Sequence, residues 1–285
     1  MKTLYISDLD GTLLNRSDRL SEYTKHTLKG LLEKGMIFTY ATARSLSSAS
    51  VVTEGLNVEL PVIVYNGAMI VNSRTGEALL RNRFLPEEQD EIRREIESCG
   101  ISPLVYAHVD GRERVSWRRE TENEGMRNYL ESRRGDPRLR PCETWAEVFR
   151  GDAFYYTCIS SNPTLSPLRE KLRQKENAVW TVTFQQELYK TEWWLEIMPQ
   201  KATKAHAALQ LKELLQCGRM ISFGDAINDL PLFRVSDQSY AVGNAVEALK
   251  ECASAVIGSN TEDGVAHWLE ENWTQETADC SEGCI

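Results

Sequence analysis

The chain alternates short apolar runs with stretches whose apolar residues recur at helical spacing, most clearly near its two ends. Apolar runs predict strands at residues 4–7, 36–41 and 62–65, and amphipathic periodicity predicts helices at residues 21–33 and from residue 45 onward. From residue 201 the alternation resumes, with predicted helices at 205–215, 229–235, 245–251 and from 262, and predicted strands at 220–223, 240–242 and 255–257. Strands that alternate with helices form a parallel sheet covered on both faces. The two ends of the chain therefore predict one α/β core.

Residues 84–191 differ in composition from both ends of the chain, because they are rich in arginine, glutamate and aromatic residues. Helical periodicity there covers residues 86–98, 121–132 and 165–175, and strand patterns cover residues 103–109, 154–160 and 179–184. A chain of 285 residues also exceeds the usual size of one core. We therefore expect a discontinuous core domain from residues 1–83 and 192–272, a second α/β domain at residues 84–191 inserted into it, and a flexible C-terminal tail at residues 273–285.

Charge and composition narrow the function classes. The chain has 33 basic and 42 acidic residues and a formal charge of -9, so nucleic acid and anionic membrane surfaces would repel it. The N-terminus lacks the apolar segment of a secretory signal, and no apolar run approaches the ~20 residues of a membrane span. We therefore expect a cytoplasmic protein that binds neither nucleic acid nor membranes. Its seven cysteines, without a CxxC pair, indicate reduced thiols, and a frayed terminus explains the Cys280 and Cys284 tail more simply than a metal site does.

An acidic motif follows the first predicted strand, in the segment from Asp8 to Thr12. Side chains two residues apart on an extended chain face the same side, so Asp8 and Asp10 can address one bound group. Gly11 then allows a sharp turn. A calcium-binding EF-hand loop would need glycine and glutamate at residues 13 and 19, where this chain has leucine and arginine. An ordinary acidic turn remains as the alternative.

A second acidic motif, formed by Asp225, Asn228 and Asp229, follows the predicted strand at residues 220–223. One helical turn would place residues with this spacing on one face. Carboxylate oxygens at two strand ends suit Mg2+, which prefers oxygen ligands. Its coordination shell usually combines carboxylates, waters and phosphate oxygens. A helix N-terminus capped by Asp225 is the alternative, and the two interpretations are compatible.

Two further strand ends carry groups suited to phosphate. Residues 38–41 lead into Thr42, Ala43 and Arg44, and residues 62–65 lead into Asn66 and Gly67. A hydroxyl and backbone N–H groups ahead of a helix are suitable donors to phosphate oxygens. Helix capping by Thr42 and a plain Asn-Gly turn are the alternatives.

Lys201 and Lys204 stand at the start of the predicted helix that follows Pro199. Positive charge at a helix start opposes the helix dipole, which indicates an anionic partner. For either lysine, a solvated surface position is the alternative.

In this order the motifs resemble the haloacid dehalogenase-like superfamily, and more narrowly its Cof-like hydrolases. The superfamily phosphatases carry Asp-x-Asp-Gly-Thr, a Thr or Ser, a Lys and Gly-Asp-x-x-Asn-Asp, and the narrower similarity lies at residues 65–68, 223–232, 241–245 and 260–266. The resemblance covers both ends of the chain to about residue 271 and no motif of the middle. The family's Gly-Val-x-Lys-Gly is replaced by residues 201–205, Lys-Ala-Thr-Lys-Ala, and a common glycine is replaced by Ala43. Register from Pro199 makes Lys204 the motif lysine.

The resemblance implies a doubly wound parallel-sheet, Rossmann-like core with an inserted α/β cap. It also implies a Mg2+-dependent phosphatase that acts on a small phosphorylated metabolite, such as a sugar phosphate or a phosphorylated cofactor, with Asp8 as nucleophile, Asp10 as acid and base and Lys204 as charge stabiliser. The implied phosphate-binding residues are Gly11, Thr12, Thr42, Ala43, Arg44, Asn66, Gly67 and Asn228. The implied metal ligands and supporting groups are Asp8, Asp10 through its carbonyl, Asp225, Asn228 and Asp229.

Two alternatives remain on this scaffold: a phosphosugar mutase that uses the same leading aspartates, and a phosphometabolite sensor that has lost turnover. The resemblance places substrate specificity in the cap. A cluster of arginines lies in the cap segment beside Trp117. These arginines could contact the substrate, but a solvated surface without such a role is the simpler interpretation. The members of this cluster are Arg112, Arg114, Arg118 and Arg119.

Overall fold

The computed structural model describes residues 1–175, 179–186 and 192–274. The chain divides into two compact units: the first unit combines Met1–Leu80 with the chain from Thr203 onward, and the second unit is Arg81–Ala202. Within the described ranges, no helix is both long and apolar enough to cross a lipid bilayer. Cys280, Cys284 and most of the predicted tail lie outside those ranges. The cysteines that the structure describes outside any disulfide bond are Cys99, Cys142, Cys158, Cys217 and Cys252.

The described elements alternate between strands and helices along most of the chain. The strands are β1 (Thr3–Ser7), β2 (Ile37–Tyr40), β3 (Val62–Val64), β4 (Met69–Val71), β5 (Ala78–Arg81), β6 (Leu104–Val109), β7 (Arg112–Arg118), β8 (Leu139–Cys142), β9 (Asp152–Ser160), β10 (Trp180–Gln186), β11 (Trp193–Pro199), β12 (Arg219–Gly224), β13 (Gln238–Val242) and β14 (Ala255–Ile257). The α-helices are α1 (Glu22–Glu33), α2 (Leu46–Val52), α3 (Pro86–Ser98), α4 (Glu124–Glu131), α5 (Trp145–Val148), α6 (Asn162–Arg173), α7 (Lys204–Leu214), α8 (Leu230–Val235), α9 (Glu247–Lys250) and α10 (Gly264–Asn272).

The first unit is built on a five-stranded parallel sheet in the order β14-β13-β12-β1-β2. Alternate side chains of a strand face opposite sides of the sheet. In β12, Met220 joins a buried cluster with Ala207 of α7, whereas the ring of Phe223 lies 5.2 Å, centroid to centroid, from that of Trp268 in α10. Helices therefore cover both faces, and the predicted α/β fold with a parallel-sheet core is confirmed.

One predicted strand of this core pairs differently from the expectation. β3 ends at Val64 and pairs antiparallel with β4, within a three-stranded sheet in the order β3-β4-β5. An isolated parallel bridge from Ala41 to Ile63 links β3 to the end of β2. The chain reverses after β3 because Tyr65, Asn66 and Gly67 all adopt positive φ. Such backbone cannot continue a strand, and it returns the chain antiparallel to β3.

The second unit is built on a six-stranded sheet in the order β10-β11-β9-β6-β7-β8. Neighbouring strands pair antiparallel, apart from the parallel pair β7 and β8. Helices α3 and α6 contribute Ile92 and Leu168 to one buried cluster with Tyr156 and Leu195 of the sheet. The unit therefore has a hydrophobic core of its own.

The second unit ends later in the chain than the residue pattern predicted. β11 lies between β10 and β9 and pairs with both, so it belongs to the six-stranded sheet. The expected boundary had placed residues from 192 onward in the core domain, whereas the division falls after Leu80 and after Ala202. Pairing with β9 assigns β11 to this unit, and that pairing is not visible in the local pattern.

Candidate active site

The segment that follows β1 carries the first two acidic residues. The backbone N–H of Asp8 donates to the carbonyl of Phe223 at 3.0 Å, which extends the pairing of β1 with β12. At Gly11 the backbone has a φ of +76°, and a Cβ atom there would overlap the carboxylate of Asp225. Glycine is therefore required for two reasons, the left-handed backbone and the close approach of Asp225.

Asp8, Asp225 and Asp229 form a carboxylate cluster at the carboxyl ends of β1 and β12. One oxygen from each of the three lies within 4.8 Å of those from the others. Asp8 and Asp229 are buried and Asp225 is half-buried. The hydroxyl of Thr12 donates to Oδ1 of Asp225 at 2.8 Å and so orients this carboxylate. Pairing between neighbouring parallel strands thus brings together acidic residues from opposite ends of the chain.

Asp229 occupies the centre of the turn that follows β12. Its Oδ2 accepts hydrogen bonds from the backbone N–H groups of Asp225 at 3.0 Å and of Ala226 at 3.1 Å. Asn228 does not share its face, as the expected helical turn would require: it is exposed, and its side-chain amide donates to Oδ1 of Asn66 at 3.2 Å. The reason is that residues 227–229 form a short 3-10 turn ahead of α8. Asn228 therefore lies outside the carboxylate cluster.

Lys204 is the first residue of α7 and lies between two members of the cluster. Its Nζ is 2.7 Å from Oδ1 of Asp8 and 2.7 Å from Oδ1 of Asp229. The residue is only 2 % exposed, whereas Lys201 is exposed. The hydroxyl of Thr203 caps α7 by accepting from the backbone N–H of His206 at 3.1 Å. The register from Pro199 and the structure therefore agree on which lysine is placed among the carboxylates.

The charge balance of the cluster favours a bound cation. Burial opposes the charge of Lys204, but the carboxylates of Asp229 and Asp8 outweigh it and raise the lysine pKa above its ordinary value. Burial raises the pKa of Asp8 well above its usual range, against the opposing effect of Lys204, and burial also raises the pKa of Asp225 to about 6. Three carboxylates facing one ammonium leave negative charge uncompensated. The oxygen donors and this excess charge fit a hard divalent cation.

Asp10 is held by Arg44 rather than by the carboxylate cluster. The Nε of Arg44 lies 3.0 Å from Oδ1 and 2.8 Å from Oδ2 of Asp10, and its Nη2 lies 3.5 Å from Oδ2 of Asp18. The hydrogen bond to Asp10 is the main cause that raises the pKa of Arg44, against the effect of burial. The arginine expected to bind phosphate therefore orients the side chain of Asp10 in this structure.

Thr42 joins the two loops that follow β2 and β3. Its hydroxyl oxygen accepts the backbone N–H of Arg44 at 3.1 Å, and its carbonyl accepts the backbone N–H of Asn66 at 2.9 Å. The residue is buried, whereas Ala43 is exposed. Since a hydroxyl can accept and donate at once, that of Thr42 keeps its hydrogen for a further acceptor.

The turn after β3 requires glycine at residue 67 for a structural reason that the sequence did not indicate. Its φ is +100°, and a Cβ atom there would overlap the backbone carbonyl of Thr203. The turn after β3 therefore packs directly against the residue that precedes Lys204. A glycine expected to serve phosphate binding also fixes the position of the α7 N-terminus.

Two asparagines without a predicted role hold the loop that follows β1 in place. The side-chain amide of Asn244 donates to the carbonyl of Gly11 at 2.7 Å, and its Oδ1 accepts the backbone N–H of Asn260 at 2.9 Å. Asn260 in turn donates to the carbonyl of Leu14 at 2.8 Å. Both asparagines follow predicted strand ends, which is the signal that could have identified them.

Comparisons with known proteins identify the family of this chain. A family model described as haloacid dehalogenase-like hydrolase matches residues 5–269. A 5-amino-6-(5-phospho-D-ribitylamino)uracil phosphatase of Bacillus subtilis (strain 168) is 24 % identical over 95 % of this chain and 98 % of its own. A putative phosphatase of Buchnera aphidicola subsp. Schizaphis graminum is 25 % identical over 96 % of each chain.

The fold is also similar to that of solved structures. The crystal structure of TM0651 from Thermotoga maritima superposes with a TM-score of 0.80 at 27 % identity, and the match covers 96 % of this chain and 98 % of that one. The family match spans nearly the whole chain and confirms the resemblance drawn from the motifs. The chain therefore belongs to the haloacid dehalogenase-like hydrolase family and is a phosphoric monoester hydrolase.

Proposed function

We propose that this protein is a Mg2+-dependent phosphatase that hydrolyses small phosphomonoesters through an aspartyl-phosphate intermediate. The observation that carries the proposal is the environment of Asp8. Its Oδ1 is held by Lys204, and among the described residues nothing donates a hydrogen bond to its Oδ2. A carboxylate with one oxygen fixed and the other open can act as a nucleophile.

The carboxylate cluster would hold the Mg2+. Asp8 and Asp225 are the direct ligands in this proposal, together with the Asp10 carbonyl. Asp229 supports them, because both of its oxygens already accept hydrogen bonds from Lys204 and from backbone N–H groups, and Asn228 serves as an outer supporting group. When bound, the cation would neutralise the carboxylates and polarise the phosphoryl oxygens.

The reaction then follows in two displacements at phosphorus. In the first, Asp8 forms a bond to phosphorus while the ester oxygen leaves, and Asp10 gives a proton to the departing alkoxide. In the second, Asp10 takes a proton from a water that attacks the phosphoryl group, which releases inorganic phosphate and restores the Asp8 carboxylate. Lys204 and the Thr42 hydroxyl stabilise the charge that develops on the phosphoryl oxygens.

The loops that carry Asp10, Thr42 and Asn66 would complete the phosphate site. We assign the backbone N–H groups around Gly11 and Thr12 to the phosphoryl oxygens, with those of Ala43 and Gly67 beside them. Arg44 orients Asp10 through hydrogen bonds from its Nε and its Nη2. This role supports the proton transfers, because an acid or base must lie within hydrogen-bond reach of the atom it serves.

We propose a small phosphorylated metabolite as substrate, either a sugar phosphate or a phosphorylated cofactor or cofactor precursor. The Bacillus subtilis relative is named for 5-amino-6-(5-phospho-D-ribitylamino)uracil, so this compound belongs in a substrate panel beside hexose phosphates and pyridoxal phosphate. We assign discrimination among these compounds to the second unit, acting as a cap. Release of inorganic phosphate from a hexose phosphate supports a hydrolase, whereas an isomeric hexose phosphate would identify a mutase.

The two leading aspartates provide the decisive experiment. With p-nitrophenyl phosphate, whose leaving group needs no proton, Asp10→Asn should still become phosphorylated but should hydrolyse the intermediate slowly. Rapid mixing should therefore show a burst of nitrophenol followed by slow release. Asp8→Asn should show neither burst nor turnover, since it lacks the nucleophile. A burst from Asp8→Asn, or equal behaviour of both variants, would refute the assignment, and an inactive wild-type protein would point to a sensor.

A further inference from the structure

A groove on the second unit gathers three arginines that form no ion pair with the carboxylates that the structure describes. It lies at the sheet edge formed by β7 and β8, has a volume of about 650 Å3, and is lined by Arg112, Arg114 and Arg140. Every lining residue belongs to the second unit, so the groove contains none of the residues of the proposed phosphatase site. A cavity of this size falls in the range used by small-molecule sites.

Strand register explains why three arginines meet there. Arg112 and Arg114 are two residues apart on β7 and therefore face the same side of the sheet. β8 pairs in parallel with β7 so that Arg140 lies opposite Ser116, which is again two residues from Arg114. Arg140 therefore emerges on the same side as the other two, so the three side chains leave one face of the sheet.

Hydrogen bonds to uncharged groups orient two of these arginines. Arg114 donates to the carbonyl of Pro137 at 2.7 Å. Arg140 donates through Nη1 to the carbonyl of Glu147 at 2.8 Å and to the hydroxyl of Ser116 at 3.2 Å. For Arg112, Arg114 and Arg140, no carboxylate among the described residues lies within ion-pair distance. Arg114 and Arg140 are half-buried, so their charges are partly withdrawn from water.

The residue just before β8 shows that this segment can pair its arginines. Arg138, two residues before Arg140, lies 2.7 Å from Glu113 and 2.6 Å from Asp136. Asp110, the acidic residue of the groove lining, is already paired with Arg150 at 2.7 Å. In a chain with a formal charge of -9, three neighbouring arginines without a direct ion pair among the described residues repel one another, and a bound anion would relieve that repulsion.

We propose that this groove is a second anion site that binds a small molecule bearing a phosphate group, separate from the substrate phosphate. Planar guanidinium groups match phosphate oxygens with paired hydrogen bonds. Val109, Leu139 and two prolines supply apolar walls beside the arginines, which suits a ligand with a carbon skeleton attached to its phosphate. The site would let a phosphorylated metabolite bind the second unit without being hydrolysed.

Arginine labelling tests the groove directly. The full-length protein, in chelator so that the proposed phosphatase site is inactive, is treated with phenylglyoxal and the modified arginines are identified by peptide mass spectrometry. Inorganic pyrophosphate, the probe, should slow the labelling of Arg112 and Arg114 by about tenfold at ten times its dissociation constant. Exposed Arg119, outside the groove lining, should be labelled at an unchanged rate.

Three further arms decide the chemistry of the ligand. Sodium chloride at equal ionic strength should give no protection, and inorganic phosphate should protect at higher concentration than pyrophosphate. If sodium chloride protects the arginines as well as pyrophosphate does, the groove is only a solvated basic surface, and the proposal is overturned. Protection by succinate but not by pyrophosphate would overturn the assignment to phosphate.

A matched pair of variants completes the test. Arg112→Gln combined with Arg114→Gln should weaken pyrophosphate binding at the groove by at least about tenfold in calorimetry, the loss expected for charge-assisted hydrogen bonds. Arg119→Gln combined with Arg127→Gln removes the same charge elsewhere and should leave binding unchanged. Turnover of p-nitrophenyl phosphate should be the same in both double variants. Equal weakening in the two pairs would refute the site, while the proposed phosphatase function would stand or fall separately on the aspartate variants.

Discussion

The ammonium group of Lys204 lies 2.7 Å from Oδ1 of Asp8, and both side chains are almost completely buried. In the proposed reaction this contact holds the nucleophile and places a fixed charge beside the transferring group. Lys204→Ala should therefore lower kcat for p-nitrophenyl phosphate by about 10²–10³, the usual cost of removing one charge stabiliser. Lys201→Ala, at an exposed position, should change it little. A larger loss of kcat in Lys201→Ala than in Lys204→Ala would contradict the assignment of Lys204 as the charge stabiliser. Circular dichroism checks that both variants fold.

The carboxylate cluster should make activity depend on Mg2+. Chelator should abolish turnover and added Mg2+ should restore it, whereas Ca2+ should inhibit because its larger and looser coordination shell misplaces nucleophile and phosphate. Mg2+ should also raise the Tm of the wild-type protein. That rise should disappear in Asp225→Asn and persist in Asp18→Asn, which changes an exposed carboxylate outside the cluster. Full turnover in chelator would remove the metal from the mechanism.

The raised pKa of Asp225, about 6 through burial, predicts two opposite pH dependences. Because an unfolded aspartate has a pKa of about 3.9, the metal-free protein should gain stability as pH falls from about 6 towards 4, and should lose this contribution as pH rises through about 6. Mg2+ binding requires the ionised carboxylate, so its affinity should fall by roughly tenfold per pH unit below about 6. Thermal melts across this range, with and without Mg2+, measure both effects. Asp225→Asn should reduce the pH dependence of the metal-free protein without abolishing it, because the raised pKa of Asp8 acts in the same direction, and an unchanged profile would contradict the prediction.

Gly67 and Gly35 form a matched pair for the turn that positions α7. Both have positive φ, +100° and +96°, but a Cβ atom at Gly67 would overlap the Thr203 carbonyl, whereas one at Gly35 would meet nothing within 4 Å. Gly35→Ala should lower the free energy of unfolding by about 1–2 kcal/mol through backbone strain alone. Gly67→Ala should cost at least about 3 kcal/mol, since overpacking is added. Chemical denaturation measures both, and equal costs would show that the turn can move away from Thr203.

Asn244 is predicted to be a positioning residue for the acidic loop. Its side chain donates to the Gly11 carbonyl at 2.7 Å, so Asn244→Ala should lower kcat by about 3–10-fold, the effect of one net hydrogen bond. Asn272→Ala removes a comparable bond, to the Trp268 carbonyl at 2.8 Å within α10, and should leave kcat unchanged. A similar loss in both variants would assign the effect to stability rather than to loop position.

Several features of the site could be predicted from the sequence because they depend on strand ends. Asp8, Thr42 and Asp225 each follow an apolar run, and parallel strands that pair side by side end at one edge of the sheet. The spacing from Pro199 likewise selected Lys204, which the structure places between two carboxylates. The strand-end inferences need only local order and a parallel sheet, whereas the choice of Lys204 also rests on the family motif that the chain resembles.

Other features were decided only by the tertiary structure. The pairing of Arg44 with Asp10, the brace from Asn244 to Gly11 and the packing of Gly67 on Thr203 join segments that are distant in the chain. The same holds for β11, which belongs to the second unit because it pairs with β9. Local periodicity reports which face of an element is buried but not which partner covers it. By itself the sequence therefore determined which polar groups stand at the strand ends, and tertiary packing decided which of them touch, because long-range pairing and register set those distances.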